Sequence, residues 1–190
     1  MALYNIKSID DTFCIDFHGF CITIKKSEYR QEHNNLTINF IVKAKIPITL
    51  PSKNQRRWLN IARELASSSK CRSMHGAVIV KSGHILGSGF NHDRYRGFGT
   101  LTYTNYGKLI YSTHAEIDAL LDVGDFSRLR GATMYITRRG KYGTFKYSAP
   151  CTRCQAMITT MRHKWGLSRV VFTLDSDKHG KYIPIVEYST

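Results

Sequence analysis

Two short polar motifs constrain this chain more than anything else in it. His114-Ala115-Glu116 opens one helical stretch and Pro150-Cys151-Thr152-Arg153-Cys154 opens another, with 33 residues (117–149) between them. Residues three apart share one side of a helix, so the two sulfurs face the same way. A helix N-terminus carries partial positive charge, which lowers thiol pKa and favours the thiolates that zinc needs. Pro150 suits that start, because the N–H it lacks has no helical partner there. With His114 as a third ligand, three protein donors leave one tetrahedral position for water, the pattern of catalytic zinc. Glu116 stands two residues from His114, close enough to carry protons for that water. A fold that uses these residues together must bring two helix starts to one point. Taken singly, the parts have plainer readings. Cys151 and Cys154 fit a redox pair or half of a zinc ribbon, and Glu116 fits a partner of the helix dipole. No second C-x-x-C exists, and redox chemistry leaves His114-Ala115-Glu116 unexplained.

The surrounding pattern narrows the architecture. Ser52 predicts an N-cap for a helix reaching about Ser69, with Trp58, Ile61, Ala62, Leu65 and Ala66 on one face. Strands at His75–Val80 and Ile85–Phe90 join around Ser82-Gly83 as a hairpin. Residues 91–112 read as a long loop. A helix follows from about Thr113 with Ile117, Leu120 and Leu121 inward, then a strand at Thr133–Thr137 and a basic loop to Ala149. The helix from Pro150 turns Met157, Ile158, Met161 and Trp165 inward, and Arg169–Leu174 is a last strand. The tail from Asp175 carries no clear pattern. The order α-β-β-α-β-α-β predicts an α/β fold, a three-layer α/β/α sandwich. Before it, Thr12–Phe17 and Phe20–Ile24 flank a tight turn at His18-Gly19, and Leu36–Val42 is rich in β-formers. Pro47 and Pro51 mark a boundary, giving a β-rich appendage over 1–50 and a main domain over 51–190.

Composition sets the class of partner. Lys and Arg number 28 against 14 Asp and Glu, a net charge of +14, which favours an anionic partner. A 42% hydrophobic fraction, with 11 Tyr, 9 Phe and 2 Trp, excludes a disordered basic tail. No run approaches the roughly 18 apolar residues of a membrane span, so no membrane partner is expected. The N-terminal residues lack the build of a signal peptide, which predicts an intracellular protein. Five cysteines, unevenly spread, are no disulfide framework, and Cys14, Cys21 and Cys71 read as buried small hydrophobes or free thiols.

The two motifs together resemble the H-x-E…P-C-x-x-C signature of the zinc-dependent cytidine/deoxycytidylate deaminase superfamily. The likeness spans residues 52 to 174, because helices and strands there follow that family's order. It implies bound Zn2+ held by His114, Cys151 and Cys154. It also implies hydrolytic conversion of a cytosine moiety to uracil with release of ammonia, in a dCMP-like nucleotide or a polynucleotide. Glu116 would be the catalytic proton carrier. By the same likeness Asn91, closing Gly87-Ser88-Gly89-Phe90-Asn91, binds the substrate sugar, and the Ala115 N–H meets the pyrimidine carbonyl; in the plainer reading Asn91 caps a turn. The family's habit implies a homo-oligomer. Adenosine deamination of tRNA uses the same signature and stays an alternative. So does a nucleic-acid-binding protein on an inactive deaminase-like scaffold, although the intact His114, Glu116, Cys151 and Cys154 set counts against it.

Two loops rich in basic and aromatic residues lead into the motif helices. One runs from Arg94 through Arg96 and Phe98, the other from Arg138 and Arg139 to Tyr147. Arg94, Arg138 and Arg139 are the candidate substrate-binding cations, for a nucleotide phosphate or a single-stranded nucleic acid. The plainer reading is a solvated surface with Tyr packed over the core. His75, His84 and His92 read as ordinary polar side chains.

Overall fold

A computed structural model describes residues 6–9, 12–17, 20–25, 48–97, 99–105, 108–176, 183 and 185–189. By their contacts the residues divide into two units, Met1–Pro47 and Ile48–Thr190. In the first unit, strands β1 (Ile6–Ile9), β2 (Thr12–Phe17) and β3 (Phe20–Lys25) form an antiparallel sheet in that order. The β2–β3 pairing is the hairpin expected from the sequence. Its turn at His18-Gly19 and the expected strand over 36–42 lie outside the described residues.

The second unit begins with β4 (Ile48–Thr49) and helix α1 (Lys53–Ala66). Ser52 caps α1 as expected: its Oγ accepts the Gln55 N–H at 3.2 Å, and Gln55 Oε1 accepts the Ser52 N–H at 2.9 Å. Trp58, Leu59, Ala62 and Ala66 are buried along one face. Next come β5 (Met74–Lys81) and β6 (His84–Phe90), joined through Ser82 and Gly83, which hold positive φ of 49° and 79°. The segment expected as one long loop instead contains a hairpin, β7 (Leu101–Asn105) with β8 (Lys108–Ser112). Helix α2 (Ala115–Val123) follows two residues later than expected, because Thr113 is still extended and exchanges backbone hydrogen bonds with His92 at 2.9 and 3.0 Å. Strands β9 (Thr133–Arg139) and β10 (Phe145–Lys146), helix α3 (Thr152–Trp165), β11 (Arg169–Thr173) and β12 (Ile185–Ser189) complete the unit. The patternless tail thus supplies a strand, and Ile48–Thr49, on the appendage side of the expected boundary, pair with it.

The main sheet runs β4-β12-β11-β9-β5-β6, with β10 on β9. Only β9 and β11 are parallel among these pairs. Its glycines show which helix covers which face. A Cβ on Gly76 would strike the Ala62 carbonyl of α1, while Cβ atoms on Gly87 and Gly89 would strike α2 at Ala119. Successive side chains of a strand point to opposite faces. Gly89 pairs with Ala77, the neighbour of Gly76, so α1 and α2 lie on opposite faces. Helix α3 packs beside α2. The result is the three-layer α/β/α sandwich. Beneath α1 the core gathers Trp58, Leu59, Val78, Tyr135 and Val171.

Candidate active site

Two helix starts meet at one edge of this sandwich. His114 is the extended residue that leads into α2, and Cys151 is its counterpart at α3. The first is held by the His92–Thr113 bridge and by buried Thr113, whose hydroxyl donates to the Arg94 carbonyl at 2.9 Å. The second is held by Ser148, a buried residue whose hydroxyl donates to the Ile136 carbonyl at 2.9 Å and accepts the Thr173 N–H at 3.0 Å. One clamp ties α2 to the end of β6; the other ties α3 to β9 and β11.

The clamps bring His114, Cys151 and Cys154 together, with donor atoms all within 4.8 Å of one another. The Nδ1 of His114 lies 3.5 Å from Cys151 Sγ and 3.3 Å from Cys154 Sγ. Tetrahedral zinc, with bonds of about 2.3 Å to sulfur and about 2.0 Å to nitrogen, separates such donors by about 3.5 Å. The donor set and its spacing therefore fit zinc. Protonation is consistent with this. The Cys151 thiol is pushed down to about 3, first by a hydrogen bond from Cys154 and then by His114. His114 is raised, chiefly by its hydrogen bond to Cys151. The Cys154 thiol is pushed up by its hydrogen bond to Cys151 and by burial. A bound dication would hold both sulfurs as thiolates.

Glu116 lies one residue into α2 and is buried, only 5% exposed. Burial pushes its carboxyl up, opposed by its own backbone N–H, the charge of His114 and a hydrogen bond with Cys154. It shares with His114 and Cys151 the wall of a cavity of about 220 Å³, along with Ser73, His75, Asn91, Ser112, Ala115 and Ala149.

Residues 52–173 match the family model of the cytidine and deoxycytidylate deaminase zinc-binding region. The chain belongs to this family. A deoxycytidylate deaminase of Mycobacterium phage D29 is 31% identical over 134 residues, which cover 63% of this chain and 93% of the relative. Among solved structures, the dCMP deaminase from cyanophage S-TIM5 in apo form is 25% identical, with a TM-score of 0.47 over 67% of this chain and 88% of that chain. Cytidine deaminase from Burkholderia pseudomallei is 16% identical, with a TM-score of 0.45 over 70% and 91%. As a deaminase of this family the chain is a zinc-dependent hydrolase of C–N bonds, and no helix among its described residues is long and apolar enough to cross a membrane.

Not every residue singled out from the sequence reaches this deaminase cavity. Asn91 and Ala115 line it. Asn91 is partly engaged: Oδ1 accepts the His75 N–H at 2.7 Å and Nδ2 donates to the Ser73 carbonyl at 2.8 Å. The three arginines are not part of its lining. Arg94 borders a separate cavity of about 370 Å³ with Lys70, Cys71 and His92. Arg139 pairs with Glu64 of α1 at 3.8 Å, because alternation along β9 turns it to the α1 face. Arg138 faces the other way, opposite His75 in the β5–β9 register, so it is the one of the three beside the cavity wall. Arg96 is drawn to buried Asp118, which also receives His92 Nε2, each at 3.2 Å. Ser73, His75, Ser112 and Ala149 were not anticipated. For His75 the available signal was its place directly before Gly76-Ala77-Val78, at the start of a strand that ends beside the motif helices.

Proposed function

We propose that this chain deaminates the cytosine of a free deoxycytidylate-like mononucleotide, giving the uracil nucleotide and ammonia. One observation carries the reading: buried Glu116 shares one small cavity with His114 and Cys151, whose donor atoms cluster with that of Cys154. The phage relative, a deoxycytidylate deaminase by name, supports the substrate class. At about 220 Å³ the cavity lies below the ~300–1,000 Å³ of ordinary ligand pockets and suits one pyrimidine-sugar unit.

His114, Cys151 and Cys154 would hold the zinc, which when bound supplies Lewis-acid activation of a water for attack on C4 of the base. Glu116 would carry two protons in succession, the first from that water to the ring nitrogen and the second from the hydroxyl left on C4 to the departing amine. Burial raises its pKa, which makes the carboxylate a stronger base toward that water. The Ala115 N–H, on the first turn of a helix without a side-chain cap, is free of any helical partner and donates to the pyrimidine carbonyl. Asn91 keeps a second Nδ2 proton for the sugar. Arg138 is the candidate for the 5′-phosphate, and an intracellular setting keeps the site's thiols reduced.

A polynucleotide reading draws on Tyr95, 65% exposed and packed edge-on against Tyr111, which together offer a stacking surface before α2. Zinc-loaded protein is incubated with dCMP, cytidine, single-stranded DNA and tRNA, and products are separated by chromatography. Conversion of dCMP with little or no turnover of the polymers is expected. Turnover of a polymer with dCMP untouched refutes the mononucleotide reading, and turnover of none refutes the enzyme.

A further inference from the structure

The histidine in the cavity wall that holds no metal has a hydrogen-bonding atom to spare. His75 is set by its neighbours: its N–H goes to Asn91 Oδ1 at 2.7 Å, and its carbonyl accepts the Asn91 N–H at 3.2 Å. Its ring is oriented too, since Nδ1 lies 3.2 Å from the Ser73 carbonyl. A carbonyl only accepts, so Nδ1 carries the proton and Nε2 carries the lone pair. No protein group among the described residues bonds Nε2, and His75 lines the cavity, which leaves that lone pair for a ligand there. Burial foremost, and the nearby Arg138 charge, lower the pKa of His75 against the pull of the Ser73 carbonyl, so the ring stays a neutral acceptor near pH 7.

An acceptor in a binding cavity calls for a donor on the ligand. A deoxycytidylate offers few. Its exocyclic amine is committed to the reacting centre beside Glu116, its 5′-oxygen carries the phosphate, and its 2′-carbon has no hydroxyl. The 3′-hydroxyl remains. We propose that His75 Nε2 accepts a hydrogen bond from the sugar 3′-hydroxyl, making the site selective for nucleotides whose 3′-oxygen is not esterified. This rests on the mononucleotide reading and adds to it a named residue that tells a nucleotide with a free 3′-hydroxyl from one inside a chain. At an internal position of a polynucleotide the 3′-oxygen has no proton to give, and Nε2 is left facing a phosphodiester.

Rates and affinities for dCMP and 2′,3′-dideoxy-CMP test this. Activity is measured in the zinc-loaded wild type, His75→Leu and His75→Gln. Binding is measured by calorimetry in the same three on a Glu116→Gln background. Wild type should favour dCMP by roughly tenfold, the worth of one hydrogen bond to a buried acceptor. His75→Leu should bring the two nucleotides near parity with zinc content unchanged, and His75→Gln, which restores an acceptor, should recover part of the preference. Absence of a preference in wild type, a comparison that needs no variant, overturns the inference. So does an equal loss for both nucleotides in His75→Leu, the mark of a structural role. Binding of neither nucleotide to wild type refutes the mononucleotide reading and the inference with it, whereas equal binding of both refutes the inference alone.

Discussion

Gly89 is where α2 comes closest to the sheet, and Gly89→Ala tests how tightly the fold holds the site. A Cβ there would meet the Ala119 backbone nitrogen and lie 2.8 Å from both the Ala115 carbonyl oxygen and the Asp118 carbonyl carbon. These are backbone atoms that cannot rotate aside, and 2.8 Å is about 0.6 Å short of the 3.4 Å at which ordinary contact begins. Helix α2 must therefore retreat by at least that distance. Overpacking of this kind costs about 1–3 kcal/mol, a Tm fall of roughly 2–10 °C for a domain of this size. The larger effect is catalytic, because the displaced turn carries Glu116 and follows His114. A 1 Å misplacement of catalytic groups costs on the order of 100-fold, so a loss of about tenfold or more in kcat is expected. Gly131→Ala is the control: φ there is +77° with open space around the Cβ, so it adds only left-handed strain of about 1 kcal/mol. Thermal melts and steady-state deamination of dCMP compare the two. Wild-type kcat in a destabilised Gly89→Ala protein, or a parallel loss of activity in Gly131→Ala, would falsify the reasoning.

Other outcomes follow from the same geometry. Cys151→Ala should lose zinc as measured by atomic emission, since two donors remain of three; metal content equal to wild type would overturn the ligand assignment. In zinc-stripped protein, Glu116 is raised above its ordinary 4.5, so the folded state binds more protons than the unfolded one and stability falls as pH climbs through the raised value. Glu116→Gln should therefore match the wild-type Tm near pH 4 and exceed it at pH 8. A gap that narrows with rising pH contradicts that sign.

The chemistry was more legible in the sequence than the surface. His114, Glu116, Cys151 and Cys154 could be grouped because their residue types have one common use at that spacing, and apolar periodicity found α1, α2 and α3. The hairpin over Leu101–Asn105 and Lys108–Ser112 was hidden by the glycines and basic residues before it, and β12 by a short run after a patternless stretch. Thr113 looked helical because it borders a helix, yet its buried hydroxyl and bridge to His92 keep it extended. The arginines show what a sequence leaves out. Sequence locates a charge in a loop or strand but not its partner, and Glu64 and Asp118 drew Arg139 and Arg96 away from the cavity. His75 went the other way: as a lone histidine it looked ordinary, and only the Asn91 and Ser73 contacts reveal its free nitrogen.

The central claim is that Glu116 works beside a three-donor zinc site on a cytosine nucleotide. Its most direct measurement is product formation from dCMP by zinc-loaded wild type and Glu116→Ala, with zinc content determined in both. Equimolar dUMP and ammonia from the wild type, and loss of turnover in a variant that retains its zinc, is the predicted result. Undiminished turnover by Glu116→Ala, or no product from zinc-replete wild type, would contradict it.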